Sequence, residues 1–227
     1  YGRESNGRSK MTVQAADPDH AFAGLEKTLS DALGAKVAIA VKSTHAILDI
    51  PAGATQQVRD ALQQINPDIR LMSRGDSLEI YKEVGLPKDV AEQFDLAKMS
   101  GTHGIGHTRM ATESAVTPDR AHPFTAGQDF CMVHNGSLSN HNRLRRKLEK
   151  AGAVFRTEND SEVAAQYLDV QMQQGATLSQ ALTRALGDLD GFYTFTIGTS
   201  DGFAVLRDPI ACKPAVLAET DDWVAMS

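Results

Sequence analysis

The stretch Phe130–Asn142, FCMVHNGSLSNHN, constrains the fold more than any other in the chain. Phe130 to Val133 are mostly apolar and predict a short buried strand. His134-Asn135-Gly136 predicts a break in that strand, and a helix is expected from about Ser139. A strand, a polar turn and a helix together hold chemical groups rigidly. Asn135 offers a side-chain amide N–H, and Gly136 lets its own backbone N–H come close to a ligand. Two such donors aimed at one point would stabilise an oxyanion. The same dipeptide also reads as a plain Asn-Gly turn joining two elements, and the stretch alone leaves both readings open.

The chain before it carries a different pattern. Residues 1–10 are polar and predict a loop. Met11–Ala15 predicts a strand. Asp17 caps a helix with Pro18 at its first position, and Phe22, Leu25, Leu29 and Leu33 share one face as far as Gly34. Val37, Ile39 and Val41 alternate as a strand, and Ala46–Ile50 is another. Val58, Ala61, Leu62 and Ile65 mark a second helix stopped by Asn66-Pro67, before a last strand at Ile69–Met72. The order β-α-β-β-α-β is that of a ferredoxin-like unit, placed at 11–73. In the transitional residues 74–100, Leu78–Tyr81 predicts a strand and Pro87 opens a short helix.

Beyond Gly101, Ile105–Thr108 predicts a strand and Glu113–Gln128 a long loop of the kind that carries function. Leu144 and Leu148 share a helical face. A second helix starts at Asp160, with Asn159 and Glu162 spaced as a capping box, and a third spans Leu178–Leu186 before Gly187. Gly191–Gly198 and Gly202–Arg207 predict a hairpin, with further strands at Ala215–Leu217 and Trp223–Met226.

Composition excludes several functions. With 23 basic against 29 acidic residues the net charge is −6, which argues against a nucleic-acid partner. Arg143, Arg145, Arg146 and Lys147 read as the solvated face of a helix. No apolar run approaches the ~18 residues of a membrane span. Cys131 and Cys212 sit in apolar surroundings and read as core thiols of a cytoplasmic protein, not as a metal site. No phosphate loop and no Cys/His cluster calls for a cofactor in this chain.

Four stretches, taken together, resemble the class II (N-terminal-nucleophile) glutamine amidotransferase domain. They are Gly106-His107-Thr108-Arg109-Met110-Ala111-Thr112, Ala121-His122-Pro123-Phe124, Val133 to Asn140, and Thr157-Glu158-Asn159-Asp160-Ser161-Glu162-Val163. Gly191-Phe192-Tyr193 and Arg207-Asp208-Pro209 fit the later strands of that family. The resemblance covers about residues 75–227. Within the family the chain looks most like the glutamate-synthase-related subunit of N-methylglutamate synthase. The resemblance implies an α+β fold, the four-layer αββα N-terminal-nucleophile hydrolase sandwich, with the ferredoxin-like α/β unit as an insertion and residues 74–227 as a C-terminally incomplete core. It implies hydrolysis of glutamine to glutamate and ammonia through a cysteine thioester, on behalf of a synthase partner that carries any flavin or iron–sulfur group.

The same resemblance assigns Arg109 to the α-carboxylate of glutamine, Asp160 to its α-ammonium, and Thr112 and His122 to the shaping of the pocket. Asn135 and Gly136 become the oxyanion hole, and His134 and His141 are left as structural. Chemistry agrees, since a free amino acid needs one cation, one anion and oxyanion donors. The family's nucleophile is an N-terminal cysteine whose own α-amino group is the base, and residue 1 here is Tyr1. The expectation is therefore that about fifty residues, roughly two strands and a helix, precede Tyr1 in the native chain. The alternative is a non-catalytic subunit that binds glutamine or glutamate for regulation or assembly.

Overall fold

The computed structural model describes residues 7–108 and 117–227 and divides them into two units. The first holds 7–102 with 117–119, and the second holds 103–108 and 120–227. Arg109 and Thr112 lie outside the described residues.

In the first unit the elements are β1 (Arg8–Gln14), α1 (Pro18–Phe22), α2 (Leu25–Leu33), β2 (Ala38–Lys42), β3 (His45–Pro51), α3 (Thr55–Ile65), β4 (Arg70–Gly75) and α4 (Pro87–Gln93). The strands form one antiparallel sheet in the order β2-β3-β1-β4. That is the strand order of a ferredoxin-like unit. Met11, Val13, Leu48 and Ile50 of the sheet share one buried core with Leu25, Leu29, Val58 and Leu62 of the helices.

Three local expectations change. The loop predicted over residues 1–10 is strand from Arg8, because Arg8 lies opposite Pro51 and its Nε donates to Asp49 Oδ1 at 2.8 Å. The single helix predicted from Pro18 to Leu33 is two, since Gly24 between them has φ +67°. Leu78–Tyr81 forms no strand. Its side chains pack instead: the Tyr81 ring lies 4.9 Å from that of Phe94, and His45 lies 5.0 Å from Phe94. The first unit continues past residue 73, through Thr102.

The second unit contains β5 (Phe130–Leu138), α5 (His141–Lys150), α6 (Asp160–Gln173), α7 (Leu178–Asp188), β6 (Gly191–Thr199), β7 (Gly202–Arg207), β8 (Leu217–Glu219) and β9 (Val224–Met226). Strands β5, β6 and β7 make an antiparallel sheet in that order, and β8 with β9 makes a separate pair. Phe130, Met132 and Leu138 of β5 share a core with Tyr193, Phe195 and Ile197 of β6 and with Leu144, Leu148, Val163, Leu168, Ala181 and Ala185 of the helices. Among the described residues this is one three-stranded sheet with a helical layer on one face.

Here too the sequence reading is corrected in places. His134-Asn135-Gly136 does not break the strand: β5 runs on to Leu138, with Asn135 opposite Thr194 and Gly136 opposite Tyr193. The turn reading of Asn-Gly falls with it, and the helix starts at His141, two residues after Ser139. Ile105–Thr108 forms no strand, although Ile105 still packs on the sheet, within 2.9 Å of where a Cβ on Gly198 would stand. Asn159 caps α6 by accepting from Ser161 N–H at 2.8 Å, but Glu162 reaches further back, to the N–H groups of Arg156 and Thr157, so no reciprocal box forms. α7 runs past Gly187 to Asp188, and the penultimate strand is Leu217–Glu219 rather than Ala215–Leu217. Cys131 is buried as expected, but Cys212 is exposed. Arg145 stands apart from the solvated face it was assigned to, its guanidinium over the Phe155 ring at 4.4 Å.

Candidate active site

The site is built on the outer edge of β5. In an antiparallel pair, alternate residues turn their N–H and C=O groups toward or away from the neighbouring strand. Met132 exchanges both of its backbone bonds with Phe124, at 2.9 and 2.8 Å, on the side away from β6. Leu138 N–H donates to Asp160 Oδ2 at 2.9 Å on that same side. Tyr193, opposite Gly136, exchanges its backbone bonds with Asp208 instead of β5. The Gly136 N–H therefore faces the outer edge of the sheet, between Met132 and Leu138.

Only glycine fits there. Gly136 has φ +142°, and a Cβ would stand 2.0 Å from the Phe192 carbonyl oxygen and 2.7 Å from Tyr193 Cα. Both are main-chain atoms, so neither can swing aside. The side chain of Asn135 lies on the opposite face from the helices, exposed like Ser137, while Met132, His134 and Leu138 are buried. The strand thus presents a backbone donor at its edge and an amide from its open face, one residue apart.

Asp160 is the first residue of α6, where an acidic side chain is favoured by the helix dipole. Its side chain keeps 22% exposure, against 1% for His134, so a ligand can reach it. Around it lies a group joined by hydrogen bonds. Ser161 Oγ is 2.9 Å from His134 Nδ1, 3.0 Å from His122 Nε2 and 3.5 Å from Asp160 Oδ1. His134 Nδ1 is also 3.7 Å from Asp160 Oδ1. Burial lowers the His134 pKa, and the nearby Asp160 charge opposes that without reversing it, so the ring is neutral at pH 7 and the 3.7 Å approach is no ion pair. His122 lies 4.5 Å from the His107 ring, tilted 48° to it, and is edge-on at 5.1 Å to Phe124. His141 is structural: its Nδ1–H donates to the Leu138 carbonyl at 2.7 Å, at the junction of β5 and α5.

Of the residues singled out by sequence, Asp160 and His122 come together through Ser161, and Gly136 lies on the same strand edge that feeds Asp160. Asn135 adjoins them in sequence, with its side chain on the other face. Sequence reasoning missed Ser161 and left His134 as structural. The signal was adjacency, since each is the immediate neighbour of a singled-out residue. Among the described residues, no group of three or more His, Cys, Asp or Glu is arranged to hold a metal ion. No helix among them is long and apolar enough to cross a membrane.

A family model described as a glutamine amidotransferase domain matches residues 107–227. The glutamine amidotransferase-like protein GlxB of Rhizobium meliloti (strain 1021) is 60% identical over 99% of this chain and 74% of its own length. A putative glutamine amidotransferase of Methanothermobacter thermautotrophicus is 35% identical over 70% of this chain, which spans about half of that relative, 53%. Among solved structures, the B. subtilis glutamine phosphoribosylpyrophosphate amidotransferase complexed with ADP and GMP matches 96% of this chain and 41% of its own, with a TM-score of 0.50 and 19% identity. A structure described as the allosteric regulatory enzyme of purine biosynthesis matches the same shares at a TM-score of 0.53 and 21% identity. These two likenesses speak to the fold alone.

Proposed function

Because this chain belongs to the glutamine amidotransferase domain family, we propose that it is the glutamine-hydrolysing part of an amidotransferase, releasing glutamate and ammonia for a partner synthase. The observation that carries this reading is the edge of β5. It sets a backbone donor that tolerates no side chain, Gly136, beside a reachable carboxylate, Asp160. Glutamine would place its amide oxygen at the Gly136 N–H and the Asn135 amide, and its α-ammonium at Asp160. Arg109 would take the α-carboxylate, with Thr112 and His122 shaping the pocket.

The nucleophile in this proposal is a cysteine at a mature N-terminus upstream of Tyr1. Cys131 is buried inside β5, and neither it nor Cys212 has the free α-amino group the reaction uses as its base. Attack on the amide carbon forms a tetrahedral oxyanion, its collapse expels ammonia and leaves a thioester, and water then releases glutamate. The two N–H donors stabilise the oxyanion in both halves. The four-layer αββα sandwich, with residues 11–73 as an insertion, belongs to the same proposal. So do a cytoplasmic setting and a glutamate-synthase-like or N-methylglutamate synthase partner that holds any cofactor.

Ammonia release by the full-length protein tests the reading. Asn135→Ala should lower kcat by ~10²-fold or more, as loss of one oxyanion donor does. Arg109→Ala should raise KM for glutamine strongly. Near-wild-type constants in both variants would sink the site assignment. Should full-length wild type bind glutamine yet release no ammonia, the reading as a non-catalytic binding subunit takes over.

A further inference from the structure

We propose that Ser161 and His134 are positioning residues for Asp160: the His134 imidazole turns the Ser161 hydroxyl onto Asp160 Oδ1, and that bond, with the Leu138 N–H on Oδ2, fixes the carboxylate to receive an α-ammonium group. The inference deepens the amino-acid-binding reading of Asp160 and rests on it.

The argument is one of counting protons. A hydroxyl has one proton to give and two lone pairs with which to accept. Ser161 Oγ has three close neighbours: His134 Nδ1 at 2.9 Å, His122 Nε2 at 3.0 Å and Asp160 Oδ1 at 3.5 Å. An ionised carboxylate only accepts, so the 3.5 Å contact to Asp160 Oδ1, long for a hydroxyl bond, closes into one only if Ser161 gives its proton there. Both imidazoles must then donate to Oγ. For His134 this puts the ring proton on Nδ1 and leaves Nε2 bare.

The surroundings of His134 favour that assignment. Nε2 is buried and has no hydrogen-bond partner among the described residues, and the ring meets Phe195 edge-on at 5.0 Å. In the reverse arrangement Ser161 donates to Nδ1 and the proton sits on Nε2. That strands a buried N–H without an acceptor, the rarer and costlier defect, and deprives Asp160 Oδ1 of its donor. The lowered basicity of the buried ring agrees, since a neutral imidazole carries one N–H to place.

The chain of bonds thus runs from the helix-covered face of β5, through His134 and Ser161, to the carboxylate at the strand's edge. One carboxylate oxygen is bonded to the strand at 2.9 Å, and the other lies 3.5 Å from the hydroxyl on the helix that bears it. A carboxylate held at both oxygens loses less rotational freedom when a cation arrives.

Calorimetry on the full-length protein tests this with two probes that are not hydrolysed and differ only in the α-ammonium group, L-glutamate and glutarate. Glutarate is read by competition against L-glutamate. Ser161→Ala should weaken L-glutamate binding by about tenfold, the scale of one hydrogen bond to a charged group, and leave glutarate within about twofold. His134→Phe should match it. His134→Asn, which keeps an N–H near the Nδ1 position, should stay close to wild type. Asp160→Asn is the reference and should abolish the preference for L-glutamate. If Asp160→Asn leaves that preference intact, or wild type binds no L-glutamate, the amino-acid-site reading fails. If Asp160→Asn removes the preference while Ser161→Ala keeps it, or weakens both probes alike, the positioning role is overturned and Ser161 only fastens helix to strand.

Discussion

His45 in the first unit and His134 in the second are both buried imidazoles held neutral by burial, yet their surroundings differ in kind. His45 has partners at both nitrogens: Thr44 Oγ1 at 3.1 Å from Nδ1, and the Lys82 N–H donating to Nε2 at 3.3 Å. The Tyr81 and Phe94 rings pack beside it at 5.6 and 5.0 Å. Thr44 Oγ1 in turn donates to Glu83 Oε2 at 2.7 Å, so this chain of bonds also ends on a carboxylate, one that is only half-buried. His134 has one bonded nitrogen, and its bond leads through Ser161 toward a carboxylate that solvent reaches. A chain from imidazole to hydroxyl to carboxylate is therefore common to both; His134 differs in its Nε2, which has no partner among the described residues, and in ending on Asp160, which the edge of β5 holds through the Leu138 N–H.

The sharpest test of this contrast uses glycines. Gly136→Ala should reduce glutamine turnover in the full-length protein by ~10²-fold or more, because the strand must shift and carry its oxyanion donor away. Gly24→Ala, at φ +67° with nothing within 4 Å of its Cβ, should cost only ~1 kcal/mol in a urea titration, with turnover unchanged. Equal effects on turnover would erase the distinction between the two units.

Acid titration of stability gives the next largest effect. The His45 pKa is lowered from 6.5 to about 4, chiefly by burial, with Glu83 raising it and Lys82 lowering it further. The unfolded chain therefore takes up a proton below pH 6.5 that the folded chain refuses until about pH 4. The stability due to a neutral His45 is complete at pH 7 and lost as pH falls through that window, by about 2 kcal/mol between pH 7 and pH 5. Urea midpoints at the two pH values, compared with those of His45→Gln, should show the variant's acid slope flattened by that amount. An unchanged slope would mean that His45 is solvated.

Much of the first unit was legible because its strands and helices each announce themselves: Asp17-Pro18 does cap a helix, and Met11, Val13, Leu48 and Ile50 do face a common core. The second unit was legible in its motifs but not in their shape. Local rules favour a turn at Asn135-Gly136. Pairing with Thr194 and Tyr193 overrides them, and a glycine there reports a close backbone approach rather than a bend. Leu78–Tyr81 failed for the opposite reason: the segment pairs with no strand, and Tyr81 packs its ring against His45 and Phe94 instead. Ser161 could not be ranked from sequence, because its meaning depends on three neighbours drawn from three segments.

The smallest expected effects bear on the same contrast from the backbone side. Asp17 caps α1 by accepting from His20 N–H at 3.2 Å, and Asn159 caps α6 by accepting from Ser161 N–H at 2.8 Å. Replacing either by Ala should cost ~1 kcal/mol of stability, the usual worth of a cap. The two caps open helices of different use. α1 begins with Pro18 and Asp19, whereas α6 begins with Asp160 and Ser161 of the candidate site. If the first turn of α6 is what aims the carboxylate, Asn159→Ala should also weaken L-glutamate binding by about threefold without moving glutarate, a loss of roughly half the tenfold effect in free energy. Asp17→Ala should leave both probes unchanged. A stability loss in Asn159→Ala with no change in either probe would show that Asp160 is aimed by its own two hydrogen bonds and not by the helix that carries it.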